Sequence, residues 1–310
     1  MMTPLTFLAV LVGCAPGERV ENPWIGEQRA AIVLLAWADE PPTLPREAYE
    51  EAFLGEVLSL SAYLWENSQG TCELTGEVFE WRSTELRWAD QDHDDPKVVA
   101  RAAREAFGDV LEPAGFDADG NGRIDHLFVV HSGRTEQDRP NPRHLFPADR
   151  ADFSVVLQSQ GVGGVGEELA IGIYLHEAGH QYFDQYDLYG NYQHGRYGIG
   201  VWGIMGLGAW GPNNGIPLAE LFRYPVHFRA AAKEQIGWMA LRTLDTTTLD
   251  LRLDPIEIGG EGLRIPGAGA DLVLEVRGPI GFSSGLPCHG LLIWREDWFP
   301  LSELPVIRLV

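Results

Sequence analysis

The sequence is poor in cationic residues, with 23 Lys and Arg against 45 Asp and Glu among its 310 residues. The resulting formal net charge of -22 repels phosphate backbones and anionic lipid surfaces. We therefore expect no nucleic acid partner. Hydrophobic residues make up 45% of the chain and aromatic residues 10%, a composition typical of a folded globular protein rather than of a chain disordered over most of its length.

The first residues lack an apolar run long enough to span a bilayer, for which about 20 residues are needed. The run from Pro4 to Gly13 is shorter, and no Lys or Arg precedes it. It is typical of the apolar core of a signal peptide. Residues 11–14, LVGC, also resemble a bacterial lipobox, in which the cysteine, here Cys14, is lipidated. We expect export and a lipid anchor at the cell envelope, with an ordinary signal peptide or a mis-assigned start as alternatives.

Cysteine is scarce, with three residues in the whole chain. If Cys14 carries lipid, Cys72 and Cys288 are left. An oxidising compartment outside the cytoplasm could join them in a disulfide. Two free buried thiols are the alternative.

Apolar patterning predicts both strands and helices along the chain. A continuous apolar run ended by prolines predicts a buried strand at 30–42, and residues 63–81 predict a turn that leads into a strand or hairpin. The remaining predictions are helices at 46–66, 97–111 and 225–238, a strand at 125–133, and several strands between 248 and 294.

The stretch YLHEAGHQYFDQYDLYG, residues 174–190, contains two histidines four positions apart. On a helix, His176 and His180 lie one turn apart on one face, so both imidazoles can reach a single cation. Glu177 lies about 100° around the helix, where it can accept a proton from water without being a ligand. This arrangement suits metal-assisted peptide hydrolysis, and the alternative is an accidental match on an ordinary helix.

Several segments together resemble the immune inhibitor A family of secreted bacterial zinc metallopeptidases, which are metzincin-like. The resemblance covers most of residues 31–298, and its landmarks occur in the family's order. They are SAYLWENSQGTCELTGEVFEW, DADGNGRIDHLFVVHSG, HEAGH followed by DLYG, GVWGIMGLGAWG, KEQIGW, and LVLEVRGPIGFSSGLPCHGLLIWREDW.

This resemblance implies roles for individual residues. His176 and His180 correspond to zinc ligands, Glu177 to the general base and acid, and Met205 to the residue of the methionine turn beneath the metal. It also implies an α+β fold, a metzincin-like zincin catalytic domain with a mixed twisted sheet, an active-site helix and a strand-rich C-terminal portion. From the residues alone, Met205 is equally well explained by core packing.

The third zinc ligand is where the chain departs from the family pattern. Phe183 and Tyr186 stand where the family has a glycine and then an aspartate. Aligning on the DLY of residues 187–189 makes Asp187 the ligand, and Asp184, one helical turn beyond His180, is the rival. In an unbroken helix Asp187 would lie about 10 Å past His180. Asp187 can therefore be the ligand only if the helix ends near Phe183.

Three further residues in this region could take part in the chemistry. His194 is a weaker candidate for the third ligand. A phenol or imidazole could also support the oxyanion, and Tyr189, Tyr197 and His194 are close enough in sequence. Sequence alone does not choose among them.

The segment DADGNGRID resembles the first half of a calcium-binding loop. Alternate residues supply oxygen atoms, and a glycine at the sixth position, Gly122, permits the sharp turn. The glutamate at position twelve of an EF-hand is missing, so an Asp/Gly-rich surface turn is the alternative. The proposed calcium ligands are Asp117, Asp119, Asn121 and Asp125.

Together these features predict a zinc-dependent endopeptidase tethered at the cell envelope. Its cofactors would be Zn²⁺ and, at the second site, Ca²⁺. Its partners would be protein or peptide substrates, with membrane contact only through the lipid anchor. The alternatives are a lipid-anchored binding protein with an impaired peptidase fold, or a metal-dependent amidase. We divide the chain into a signal peptide (1–13), a linker (14–29), a catalytic domain (30–300) and a tail (301–310).

Overall fold

A computed structural model describes most of the chain between residues 24 and 309. The described residues are 24–92, 96–112, 115–118, 120, 122–133, 143–144, 154–158, 169, 171–189, 198–211, 224–244, 251–297 and 306–309. Cys14 and the predicted signal peptide lie outside them. No helix within these ranges is both long enough and apolar enough to cross a membrane.

The described part is a mixed α+β structure with two sheets. Its strands and helices, in chain order, are β1 (Gly26–Ala36), α1 (Arg46–Leu54), α2 (Leu60–Asn67), β2 (Cys72–Val78), β3 (Arg82–Ser83), α3 (Pro96–Phe107), β4 (His126–His131), β5 (Arg143–His144), β6 (Ser154–Gln158), α4 (Ile171–Phe183), α5 (Ala230–Ile236), β7 (Leu241–Thr243), β8 (Gly262–Ile265), β9 (Ala270–Arg277), β10 (Gly290–Asp297) and β11 (Val306–Leu309).

The first sheet has the strand order β2-β1-β4-β6-β5, and β3 also pairs with β1. Strands β2, β1, β4 and β6 are parallel, while β5 runs antiparallel to β6 at the edge. Parallel strands covered on both faces are near-continuous apolar runs. The run predicted from sequence therefore belongs to the central strand β1, which begins at Gly26, inside the segment predicted to be linker.

Strand β1 separates two hydrophobic cores because successive side chains point to opposite faces. Ala30, Ile32 and Leu34 pack in the core formed with α1, α2 and α4. Their neighbours Val33 and Leu35 pack in the core formed with α3. Helix α4, which carries the two histidines, thus lies on one defined face of the sheet.

Two sequence predictions are corrected in this region, and a third is confirmed in one of its two forms. The single helix at 46–66 is two helices, because α2 starts afresh at Ser59, whose hydroxyl accepts a hydrogen bond from Ala62 N. Of the strand or hairpin predicted within 63–81, the strand is confirmed as β2, which pairs in parallel with β1. The helix at 225–238 begins only at residue 230.

The segment before α5 is extended because α2 binds its backbone. The hydroxyl of Tyr63 donates to the carbonyl oxygen of Val226 over 2.8 Å, and Phe228 N donates to the side-chain oxygen of Asn67 over 3.0 Å. These contacts occupy backbone groups that a helix would otherwise use. Hydrogen bonds of this kind do not change the pattern of apolar residues, so that pattern could not predict the extended segment.

The second sheet has the strand order β11-β10-β9-β8-β7. Its pairings are antiparallel except that of β7 with β8. The predicted strand-rich C-terminal portion is confirmed. The segment 301–310, predicted to be a tail, contains β11, which pairs with β10.

The predicted disulfide is not formed. Cys72 and Cys288 are both free thiols, and Cys72 is buried whereas Cys288 is exposed. The alternative prediction of two free buried thiols is confirmed for Cys72, whereas Cys288 is free but exposed. Burial raises the pKa of the Cys72 thiol to about 12, so this thiol is protonated and unreactive at neutral pH.

Charged side chains are buried where the second sheet meets α2 and α5. Lys233 on α5 lies 3.1 Å from Nδ1 of His227, and Nε2 of His227 lies 2.6 Å from Glu66 on α2. Burial, and after it the positive charge of Arg277, lower the pKa of Lys233 to about 7 against the opposing effect of nearby glutamates. The folded protein therefore disfavours the ammonium form of this lysine.

This burial predicts a pH-dependent difference between the wild type and Lys233→Met. The pKa of Lys233 is lower in the folded state than in the unfolded state, so the unfolded chain binds more protons between about pH 7 and pH 10. The contribution of Lys233 to the free energy of unfolding of the wild type should therefore rise with pH across that window. At pH 7, Lys233→Met should have a higher free energy of unfolding than the wild type. This difference, measured by urea unfolding, should shrink by about 1.4 kcal/mol per pH unit as the pH rises.

Lys97→Met is the matched control, because Lys97 on α3 is exposed. Its stability should run parallel to that of the wild type over the same pH range. A Lys233→Met curve that also runs parallel to the wild type would contradict the prediction.

Candidate metal centre

Helix α4 places both histidines in a buried environment. His176 is 3% exposed and His180 is 6% exposed. Their Nε2 atoms lie 3.1 Å apart, as expected for imidazoles one turn apart on one helix face. The sequence prediction that these two rings reach a common point is therefore matched by the geometry.

Two backbone carbonyl groups fix the orientation of both rings. Nδ1 of His176 donates to the carbonyl oxygen of Ile204 over 2.9 Å, and Nδ1 of His180 donates to that of Gln185 over 2.7 Å. A carbonyl oxygen only accepts hydrogen bonds, so Nδ1 must carry the hydrogen atom in each neutral ring. Both Nε2 lone pairs are left facing the same point, as in metal-binding histidines.

Helix α4 ends at Phe183 without a glycine. Asp184 follows with a φ of 54°, in the left-handed region that aspartate tolerates better than most residues. Gln185 N then donates back to the carbonyl oxygen of Gly179 over 3.0 Å. The chain therefore reverses, and the carbonyl group of Gln185 comes beside His180.

The reversal brings Asp187 to the histidines. Its Oδ1 atom lies 3.1 Å from Nε2 of His176 and 3.3 Å from Nε2 of His180. Asp184, the rival third ligand, is exposed and does not belong to this cluster. Among the described residues, one group of His, Cys, Asp or Glu has ligand atoms close enough to hold a metal ion, and it consists of His176, His180 and Asp187.

The three donor atoms fit a tetrahedral Zn²⁺ site. Ligand bonds of about 2.0–2.1 Å at tetrahedral angles separate neighbouring donor atoms by about 3.3 Å, and the observed separations are 3.1, 3.1 and 3.3 Å. Two imidazole nitrogens and a carboxylate oxygen are also a donor set that catalytic zinc accepts. The side chain of Asp187 is 57% exposed, so the cluster opens towards solvent on that side.

The pKa shifts in the cluster indicate that it favours positive charge. Burial lowers the pKa of His180, but the hydrogen bond to Asp187 and the negative charge of Glu177 raise it to a net value above the ordinary one. Burial raises the pKa of Asp187, but its contacts with both imidazole groups hold it well below its usual range. A cation between these atoms would use the same electrostatic preference.

Glu177 is buried on the same helix, with 5% of its surface exposed. It directly follows His176, and its charge acts on His180. Buried carboxylates beside a metal site are suited to proton transfer. Its role as general base stays a prediction.

Met205 lies beneath α4, where the resemblance places the methionine turn. It is 1% exposed, and a Cβ atom at Gly179 would lie 2.5 Å from its Sδ atom. Met205 O also accepts a hydrogen bond from Leu188 N over 2.7 Å. Met205 is therefore a packing element that also supports the residue after Asp187.

The other predicted site residues are placed only in part. The hydroxyl of Tyr189 lies 3.4 Å from Nε2 of His176, at the edge of the cluster. His194 and Tyr197 lie outside the described residues.

The predicted calcium loop is likewise only partly described. Asp117 accepts a hydrogen bond from Gly122 N over 2.7 Å, and Asp125 accepts one from Ala118 N over 2.6 Å. Asp119 and Asn121 lie outside the described residues. Calcium binding stays a prediction.

Sequence reasoning missed the carbonyl groups of Ile204 and Gln185. Both act through the backbone, so no side-chain pattern could indicate them. The left-handed residue at the helix end was detectable in principle, since aspartate is among the few non-glycine residues that adopt this conformation.

In comparisons with known proteins, the chain matches no protein-family model and no curated protein sequence. The resemblance to a peptidase family therefore depends on the motifs quoted above. The candidate metal centre depends on the geometry of this chain.

Replacing Asp187 by Asn should weaken zinc binding by more than about 100-fold, because it removes the anionic oxygen that faces both Nε2 atoms. Asp184→Asn is the matched control, since it removes the same charge and keeps a side chain that tolerates positive φ. Competition with a chromophoric chelator measures both affinities. Weakened binding in Asp184→Asn with wild-type binding in Asp187→Asn would reverse the assignment.

The contact between Gly179 and Met205 predicts coupled effects on stability. Gly179→Ala should lower the free energy of unfolding by about 1–3 kcal/mol, because its new methyl group overlaps Met205. Met205→Ala leaves a cavity and should cost about 2–5 kcal/mol by itself. The loss in free energy of unfolding of the double variant should be about 1–3 kcal/mol smaller than the sum of the two single losses. The reason is that the new methyl group occupies the space that Met205 vacates. Urea unfolding of all four proteins tests this, and additive losses would contradict it.

Proposed function

We propose that this chain is a zinc-dependent endopeptidase of the immune inhibitor A type, with a metzincin-like catalytic domain. The observation that carries the proposal is the convergence of His176, His180 and Asp187 within 3.3 Å of one another, beside Glu177 on a buried helix. The order of the sequence landmarks supports the family assignment.

In this proposal His176, His180 and Asp187 hold the cation. A bound Zn²⁺ supplies Lewis acidity, which polarises the peptide carbonyl and lowers the pKa of water. Glu177 accepts a proton from the attacking water and later donates it to the leaving amine. The two backbone carbonyls keep both imidazoles in the tautomer that ligation requires.

The cluster is accessible to a substrate on the side of Asp187. Asp187 is exposed while both histidines are buried, so a peptide bond can approach from the Asp187 side. The strong negative charge of the chain argues against nucleic acid as that substrate. We propose protein or peptide substrates met outside the cytoplasm, where lipidation of Cys14 would tether the enzyme.

The alternative of a binding protein with an impaired site was motivated by Phe183 and Tyr186, which replace the family's glycine and aspartate. The reversal at Asp184 supplies the helix end that the glycine would supply. Asp187 then reaches the histidines. This observation favours the enzyme over the impaired binding protein.

Glu177→Gln should lower the rate of hydrolysis of denatured casein by about 10²–10⁴-fold, the contribution expected of a general base. Zinc stoichiometry should stay at one ion per chain, because Glu177 is not among the proposed ligands. Rates and metal content would be measured on the same preparations.

Glu47→Gln is the control for this experiment, since Glu47 lies on the exposed side of α1. Wild-type protein that binds zinc but cleaves no protein substrate would overturn the endopeptidase proposal. Hydrolysis of small amides alone, in a parallel substrate panel, would instead indicate an amidase.

A further inference from the structure

Arg277, at the end of β9 in the second sheet, has a fully buried side chain. Its Nη1 donates to the carbonyl oxygen of Trp202 over 2.6 Å. Trp202 lies outside that sheet, in the segment that runs beneath helix α4 and contains Met205. A charged side chain from the C-terminal sheet thus binds the backbone close to the candidate metal centre.

The backbone that Arg277 binds leads directly to the metal centre. Two residues after Trp202, the carbonyl oxygen of Ile204 accepts the Nδ1 hydrogen of His176. Ile204 is fully buried, so this carbonyl has little freedom to reorient. A displacement of Trp202 would therefore change the hydrogen bond that sets the His176 tautomer.

The same segment also supports the other parts of the centre. Leu188 N donates to Met205 O over 2.7 Å, and Ile199 N donates to Leu188 O over 3.0 Å. These two bonds hold the residue that follows Asp187. Met205 packs against Gly179, next to His180. Residues 199–205 therefore contact the backbone or side chains beside all three proposed ligands.

Arg277 is itself held on several sides. Its Nε donates to Glu257 over 2.6 Å, and its Nη2 donates to the hydroxyl of Ser283 over 2.9 Å. Glu275 lies 3.5 Å from Nη1. Planar guanidinium groups bound in this way have a fixed orientation, unlike the ammonium group of a lysine. The donor to Trp202 is therefore preorganised.

We infer that Arg277 is a positioning residue for the metal centre: by binding Trp202 O it holds the Ile204 carbonyl against His176 and so raises metal affinity. This inference rests on the proposed function, because it assumes that His176, His180 and Asp187 bind Zn²⁺. It makes the C-terminal sheet a part of the metal site.

The test compares Arg277→Lys with Arg229→Lys in the full-length protein. Arg229 forms another buried ion pair, with Glu296 at 2.6 Å, and no described hydrogen bond joins its side chain to residues 199–205. Zinc affinity would be measured by chelator competition, and the visible spectrum would be recorded with Co²⁺ in the same site. Urea unfolding of each protein would report its stability.

Arg277→Lys should bind zinc about 10-fold more weakly than the wild type, the lower end of the range seen when direct outer partners of ligands are lost, because Arg277 acts on His176 through Trp202 and Ile204. Its Co²⁺ spectrum should differ from that of the wild type, because the His176 ring is less well fixed. Arg229→Lys should lose stability yet keep wild-type affinity and spectrum. Folded Arg277→Lys with wild-type affinity and spectrum would overturn the inference.

If Arg277→Lys does not fold, Ser283→Ala provides the test. It removes one anchor of the guanidinium group and leaves every charge in place, so zinc affinity should fall by a smaller factor, about 2–5-fold. An unchanged affinity in Ser283→Ala would then overturn the inference. Wild-type protein that binds no zinc would overturn both this inference and the proposed function. If the wild type binds zinc and the variants bind it with the same affinity, only the inference is overturned.

Discussion

Two imidazole nitrogens and one carboxylate oxygen meet within 3.3 Å of one another at the end of α4. Each carries lone pairs that face the same point, so their closeness is favourable only with positive charge between them. The raised pKa of His180 and the lowered pKa of Asp187 express this preference. The proposed chemistry depends on it, because Glu177 can act on water only if a cation holds that water in place.

This cluster is maintained mainly by backbone contacts from the turn after α4 and from residues 199–205. The carbonyl groups of Gln185 and Ile204 orient the two rings, and Met205 packs beneath the helix that carries them. Arg277 extends the support to the C-terminal sheet through Trp202. Arg277 and the glutamates that pair with it are thus linked through this hydrogen bond to the segment beside the candidate metal centre.

Several features were readable from sequence because they follow from local periodicity. The apolar run of β1 predicted a buried strand, and the spacing of His176 and His180 predicted two rings on one helix face. The features that were missed depend on distant partners. The segment before α5 is extended because Tyr63 and Asn67 bind it. Cys72 and Cys288 remain unpaired although composition allowed a disulfide.

The sequence by itself determined which residues could form a metal site: two histidines one helical turn apart, a glutamate between them, and two aspartates downstream. The choice between Asp184 and Asp187 belonged to the tertiary structure. It turns on one backbone angle, the positive φ of Asp184, which ends the helix and returns the chain towards the rings. Gln185 holds that reversal, because its N donates to Gly179 O and its carbonyl oxygen accepts from Nδ1 of His180. Backbone contacts of this kind have no signature in a linear pattern of side chains.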